Sequence, residues 1–400
     1  MKLVAIVDNL PSDGGGFNQA ANSIIMLERM LNEKSTLLVL VTSKIAYEKF
    51  KELNLDVVYY HFGFFDRIYN FLARTLVFNT FIYRIKYLSR FEKFIIKNGC
   101  GLAYFVTPSA IACSLQKLNY IYTVWDMSYR INIEFPEVRE LGLFKIKDSI
   151  YKFALERAFL IITSSEALSC FLCKNFSIPM ERLLFIPLQV SPFLKLENKL
   201  IKNRDFLELK KQEYFFYPAQ YWPHKNHIRI LQALNFLQRT QKQCPTLVFS
   251  GADKGNLEWL KQYVEKENLG KNVIFFDYLN HDEFNYIYRN AHAIVMPTYF
   301  GPNNIVPLEA WTLEIPLIYS EGFEVEPNAG ALLVNPDSYE ELGNALLNVQ
   351  KSQVRRKLIK QGQKVLNNHE KTVVLQERNL KYRLEIFEKR SETWESFYLD

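Results

Sequence analysis

The chain repeats one local pattern from end to end: a short, continuously apolar run, a turn, then an amphipathic helical stretch. In the first half the runs fall at residues 3–7, 37–41, 57–60, 103–106, 120–124, 158–162 and 184–187. In the second half they fall at 214–217, 247–250, 273–276, 291–295, 316–319 and 332–336. Runs this short and this uniformly apolar are strands covered on both faces, and their alternation with helices predicts an α/β chain of parallel, doubly wound sheets. A length of 400 residues predicts two such domains. We place them at 1–195 and 196–372, with a helical tail at 373–400. Residues 195–205, rich in Lys, Asn and Glu, form the expected linker and mark a cleft between the domains. Helices are expected at 354–366 and 372–390.

A hydrophobic fraction of 48% and an aromatic fraction of 15% are enough to fill two cores and exclude wholesale disorder. The first eight residues read as a strand, being too short and too soon acidic for a signal peptide. No apolar run approaches the length of a membrane span. Five cysteines without framework spacing point to reduced thiols in a cytoplasm. Cys170 and Cys173 read as two small apolar residues on one helix face, because nothing nearby completes a zinc or redox site. The net charge of +6 accompanies no nucleic-acid motif, so the bias is toward anionic substrates or a membrane surface. Basic and aromatic residues interleave most densely at 62–97, where Arg67, Arg74, Arg84, Lys86, Arg90 and Lys93 alternate with Phe64, Phe65, Phe71 and Phe81. One or two helices are expected there. They are either core helices with a wet cationic face or a surface that rests on anionic lipid.

Four stretches carry candidate chemistry. Gly14-Gly15-Gly16 separates the first strand from a helix expected at 17–32, and lets a backbone pass close to a ligand. Its glycines are consecutive, so it is no dinucleotide fingerprint. Trp125-Asp126 ends the strand at 120–124, where ligands of open parallel sheets sit. In the stretch 214–227, an apolar strand runs through Gln220 to Lys225 at the start of a helix. A lysine there opposes the helix dipole, which an anion would relieve. His224 and His227 have no carboxylate nearby in sequence and read as polar loop and cap residues. Finally, the strand at 291–295 leads through Gly301-Pro302-Asn303-Asn304-Ile305 into a helix carrying Glu309. A tight loop feeding a helix N-terminus suits a phosphate, and Glu309, one turn in, suits vicinal hydroxyls of a ribose.

The order and separation of the Lys225 and Asn303–Glu309 segments resemble the GT-B glycosyltransferases, in particular the large retaining family 4. Trp125-Asp126 with the later Phe135-Pro136-Glu137, and Thr163-Ser164-Ser165-Glu166, are similar to further patterns of that family. The resemblance implies two Rossmann-like domains facing a cleft, with a tail that crosses back to the first. It implies sugar transfer from a nucleotide-diphosphate sugar to a saccharide or lipid-linked acceptor, in bacterial-type polysaccharide or glycolipid assembly. Lys225, Gln220 and the amides of Asn303, Asn304 and Ile305 would then bind the diphosphate, Glu309 the ribose, and Tyr278 and Leu279 the base. Asp126, Gly15 and Gly16 would face the sugar and acceptor. No cofactor is implied. No Asp-x-Asp triad occurs, so no metal is expected. A cytoplasmic protein, peripheral on the inner face of the plasma membrane, is expected. Three departures stand out: Trp125 replaces a histidine, Gln220 an arginine, and Gly301 the first of two glutamates. They leave open a non-catalytic nucleotide-sugar-binding scaffold and a nucleotide-sugar epimerase beside the transferase.

Overall fold

The computed structural model describes residues 2–31, 36–85, 87–195, 209, 213–241, 244–277, 279–301, 305–322 and 330–394. They form two compact units. The first comprises Met1–Met127, Leu141–Gln189 and Glu370–Asp400; the second comprises Ser128–Glu140 and Val190–His369. The expected boundaries are thereby corrected. The break falls at 189/190 rather than 195, and residues 128–140 group with the second unit because Glu137 is hydrogen-bonded to His224 there. Beyond Lys195, the expected linker lies outside the described residues.

The first unit holds β1 (Lys2–Val7), β2 (Thr36–Val41), β3 (Val58–Tyr59), β4 (Leu102–Phe105), β5 (Asn119–Val124), β6 (Leu160–Thr163) and β7 (Leu183–Phe185). All pairings are parallel, in the order β3-β2-β1-β4-β5-β6-β7. β1 runs between β2 and β4, with Leu3 opposite both Leu37 and Leu102. Its apolar residues are fully covered, as a central strand requires. The short β3 is exposed at the edge.

The helix after β1 begins at Gly15, two residues before its expected start, so Gly15 and Gly16 form its first turn. A Cβ on Gly16 would lie 2.8 Å from the Trp125 ring, so the glycine lets helix and indole meet. The basic, aromatic stretch folds into three helices, Phe64–Leu72, Leu76–Arg84 and Arg90–Lys97, rather than one or two. They differ in kind. The third is docked by buried Glu92, whose carboxylate accepts from the backbone N–H groups of Gln116, Lys117 and Leu118 at 2.7–3.0 Å. The first two leave Phe64, Phe65, Phe71, Val77 and Phe81 exposed. On the helix Glu166–Phe176, Cys170 is exposed, which corrects its reading as an apolar packing residue.

The second unit holds β8 (Tyr214–Pro218), β9 (Thr246–Ser250), β10 (Val273–Phe276), β11 (Ala293–Met296), β12 (Leu317–Ser320) and β13 (Ala331–Val334). They too are all parallel, in the order β10-β9-β8-β11-β12-β13. The chain winds outward from β8 to β10, then returns to lay β11 on the other side of β8. The order therefore reverses between β8 and β11, the position at which open parallel sheets bind ligands.

The helix Ile305–Thr312 follows β11 and is fixed from behind by Trp311. The Trp311 indole donates to the Gly330 carbonyl at 3.0 Å, and its backbone carbonyl accepts from Gln363 at 2.6 Å. A Cβ on Gly362 would lie 2.2 Å from the indole, so this approach needs glycine. Gly362 belongs to one uninterrupted helix, Ser352–Ser391, where two separate helices were expected. From Glu370 onward its residues group with the first unit, where Phe387 packs on Phe159 with ring centroids 4.7 Å apart.

Candidate functional site

In the second unit, two loops leave the switch point side by side. The first leaves β8 through Ala219 and Gln220. It crosses so close to the end of β9 that a Cβ on Gly251 would sit 2.3 Å from the Ala219 carbonyl oxygen. Tyr221, fully buried, anchors it by donating its hydroxyl to the Phe276 carbonyl at 3.0 Å. A single 3-10 turn, Pro223–Lys225, then ends at Asn226, which takes the left-handed conformation with φ 59°. The helix His227–Thr240 starts from there. Lys225 thus closes a turn before the helix rather than opening the helix itself, and its carbonyl accepts from the Tyr217 hydroxyl at 2.9 Å. Gln220 is partly committed: its side-chain oxygen accepts from the Trp222 indole at 2.9 Å.

The second loop leaves β11 through Pro297, Thr298, Tyr299, Phe300 and Gly301. It is welded to the first through the His224 carbonyl, which accepts from the Tyr299 N–H at 2.9 Å and the Thr298 hydroxyl at 3.2 Å. The His224 ring lies flat on Phe300, centroids 3.9 Å apart and planes 12° apart. Its Nδ1 pairs with Glu137 Oε1 at 2.6 Å, and its backbone N–H donates to the same oxygen at 3.1 Å. The reading of His224 as a mere loop residue is corrected, since its carboxylate partner comes from 87 positions earlier. Burial pushes the Glu137 carboxyl up, but hydrogen bonds from the His224 ring and backbone outweigh it, leaving the net value below the usual range.

His227 is also not a surface cap. It is fully buried between Tyr217 and Tyr221, with ring centroids at 4.7 and 5.0 Å. Burial, and then the Lys225 charge, push its imidazole down to about 3, so it is neutral. Arg229, two residues on, is held by Asp337, the Tyr299 hydroxyl and the Pro336 carbonyl.

Gly301 takes φ 102°, a conformation that favours glycine. A glutamate at this position would meet that backbone strain. Ile305 opens the next helix, and Glu309 lies on its buried face with 6% exposure. Burial pushes its carboxyl up to about 7. Leu279 is half-buried after β10, beside the Asn280 cap of the helix His281–Asn290. Tyr278, Asn303 and Asn304 lie outside the described residues.

In the first unit, Asp126 is exposed just beyond β5, and Trp125 separates it from Val124. With Gly15 and Gly16 it lies at the carboxyl ends of that unit's strands. Asp8, which the sequence reading did not select, sits there too, beyond β1 at the reversal between β1 and β4. Its carboxylate accepts from Ser109 Oγ at 2.7 Å and Thr42 Oγ1 at 3.0 Å. The candidate residues thus form two groups: Gln220, Lys225, Leu279, Ile305 and Glu309 in the second unit, and Gly15, Gly16 and Asp126 in the first. Sequence reasoning missed Arg229, and it noted Glu137 only as part of the Phe135-Pro136-Glu137 segment, which opens the proline-led helix Pro136–Arg139, without assigning it a partner.

Solved structures share this architecture over nearly the whole chain. A sucrose-phosphate synthase from Thermosynechococcus elongatus aligns with 96% of this chain and 100% of its own, with a TM-score of 0.68 and 16% identity. The Anabaena protein HepE, solved in complex with UDP-glucose, covers 96% and 99%, with a TM-score of 0.66 and 14% identity. WaaG, described as a glycosyltransferase involved in lipopolysaccharide biosynthesis, covers 92% and 95%, with a TM-score of 0.61 and 14% identity. The fold is GT-B, two Rossmann-like units of parallel sheet and flanking helices. Residues 199–365, within the second unit, match the family Glycosyl transferases group 1. The O-antigen chain mannosyltransferase RfbU of Salmonella typhimurium is 25% identical over 205 residues, 50% of this chain and 54% of RfbU. The match thus spans about half the length of that curated relative.

The buried Glu309 sets a pH signature. Between its ordinary value of 4.5 and about 7 the folded chain holds a proton that the unfolded chain releases, so its contribution to stability falls as pH rises across that window. Glu309→Gln should therefore stabilise the ligand-free protein by up to about 3 kcal/mol more at pH 8 than at pH 4.5. Thermal or urea midpoints of both proteins at the two pH values read this directly. An equal shift at both would show that Glu309 is not desolvated.

Proposed function

We propose that the chain transfers a sugar from a nucleotide-diphosphate sugar to a saccharide or lipid-linked acceptor, retaining the anomeric configuration, in surface polysaccharide or glycolipid assembly. The observation that carries this reading is the junction at the reversal point of the second unit. There the Lys225 turn and the loop leading to Glu309 are bonded into one surface, inside the segment that matches the glycosyltransferase family. RfbU, named for mannosyl transfer to O-antigen, and HepE, solved with UDP-glucose, support the substrate class.

In this reading Lys225 and the N–H groups at the start of the helix Ile305–Thr312 receive the diphosphate, and Glu309 receives the ribose. Leu279 sits beside the base. As the bond from the anomeric carbon to the phosphate oxygen breaks, negative charge grows on the leaving diphosphate. Fixed positive groups stabilise it without reorganisation. The acceptor oxygen forms the new bond, and its proton passes to the departing phosphate oxygen. Asp126 with Gly15 and Gly16 are the proposed contacts to the transferred sugar and acceptor. No metal is assigned a role. The scaffold reading would keep donor binding without transfer, and an epimerase would consume donor without forming an acceptor product.

Lys225→Ala should weaken binding of the bare nucleoside diphosphate by about 10- to 100-fold, the worth of a charge-assisted hydrogen bond, and lower transfer in parallel. Calorimetry that finds unchanged affinity removes Lys225 from the site.

We also propose that the chain rests on anionic membrane. The exposed Phe64, Phe65, Phe71, Val77 and Phe81 stand on the same pair of helices as Arg67 and Arg84, a combination suited to lipid at about 1 kcal/mol per basic residue near the surface. The protein should co-sediment with phosphatidylserine-containing vesicles at low salt and release at high salt. Phe64→Ser/Phe71→Ser should abolish this. Failure of the wild type to sediment at low salt refutes the docking.

A further inference from the structure

We infer that Lys254, standing on the Trp222 ring, supplies a second cation to the diphosphate subsite beside Lys225; the inference rests on the nucleotide-sugar reading above. A nucleoside diphosphate brings more negative charge than one ammonium offsets. The β8 loop has little more to offer it. Gln220 is a neutral amide whose oxygen accepts from the Trp222 indole at 2.9 Å. The next lysine or arginine after Lys225 is Arg229, which is already held by Asp337 and the Pro336 carbonyl. The neighbouring β9 loop does bring a cation. Lys254 Nζ lies 5.5 Å from the centroid of the Trp222 ring, within the range of a cation–π contact. Trp222 is the N-cap of the 3-10 turn Pro223–Lys225, so the Lys254 ammonium is brought to the turn that carries Lys225.

The way the two loops run together fixes this placement. Beyond the close approach of Gly251 to Ala219, the Tyr221 N–H donates to the Ala252 carbonyl at 3.1 Å, and Tyr221 and Asp253 form a parallel bridge. Trp222 and Lys254 are the next pair after that bridge. The acid beside Lys254 is turned to another task. The Asp253 carboxylate accepts from the backbone N–H groups of Gly255, Asn256 and Leu257 at 2.8–3.2 Å, closing the turn into the helix Leu257–Lys266. Among the described residues no carboxylate forms an ion pair with Lys254. The indole face engages the ammonium without accepting a conventional hydrogen bond, which leaves N–H donors for a phosphate oxygen. A half-buried lysine ordered on a ring also loses less freedom when a ligand arrives than a freely solvated one. In this account Lys254 touches the ligand and Trp222 is a positioning residue.

The test is calorimetry of the full chain with UDP and with GDP in metal-free buffer, at low and at high salt. Lys254→Met keeps an unbranched side chain on the ring and removes the charge. It should weaken the nucleotide that binds by about 10-fold at low salt, and by less at high salt, where the lost attraction is screened. Lys254→Arg, which keeps the charge, should retain most of the wild-type affinity. Trp222→Leu should weaken binding in the protein that has Lys254 and add little to the loss in Lys254→Met, because both changes remove the same contact. The salt dependence and the arginine variant are readouts that a purely structural role for Lys254 would not move. Three results overturn the inference while leaving the donor site standing: unchanged affinity in Lys254→Met at low salt, a loss of equal size at both salts that is also seen in Lys254→Arg, or a Trp222→Leu loss that is the same with and without the Lys254 ammonium. Binding of neither nucleotide to the wild type overturns the donor reading and the inference with it.

Discussion

The second unit depends on one buried side chain held in a left-handed turn. Asn226, 1% exposed at φ 59°, donates its side-chain amide to the Pro297 carbonyl at 2.9 Å and to the Pro336 carbonyl at 2.8 Å. Those carbonyls lie just beyond β11 and β13. One amide therefore ties three strand exits together at the reversal point of the sheet. Asparagine suits the task because it tolerates the left-handed region and carries two donors. Given that tie, the His224 carbonyl meets Tyr299 and Thr298, the ring of His224 meets Phe300, and Lys225 is held at the same edge.

Charge at this edge is separated by burial. Lys225 stands on the half-buried turn next to a neutral His227. Glu137 is buried and ionised because His224 serves it. Glu309 is buried with no such partner shown among the described residues, and burial pushes its carboxyl up to about 7. An arriving ribose would give Glu309 hydroxyl donors and so favour its ionised form, coupling ligand binding to proton release. The same physics makes Glu309 costly to the empty protein, as expected where local stability is traded for a preformed site.

The fold was legible because its strands are covered on both faces. Runs such as 3–7 and 120–124 read as strands without ambiguity, and the structure extends them by one residue at most. The long terminal helix was less legible. Residues 367–371 are all polar and look like a break, yet a polar helix needs no apolar residue there to continue. Spacing after strands singled out Lys225 and Glu309; Lys225 closes a turn after β8, and Glu309 is buried in the helix after β11. The Glu137–His224 pair was not, because it joins positions 87 apart and nothing local to either residue points to the other. Gly301 was readable as a missing glutamate, but the backbone conformation that accompanies it was not. Glu92 is the buried anchor of its helix, and its backbone partners at 116–118 lie too far along the chain for the sequence of the basic stretch to announce them.

The central claim is that a nucleotide sugar binds where the β8 and β11 loops meet. Hydrogen exchange read by mass spectrometry, with and without saturating UDP or GDP, tests it without assuming an acceptor. The account predicts that protection appears in peptides covering residues 218–229 and 297–312. Tight binding with protection elsewhere, and none in those two segments, would contradict it.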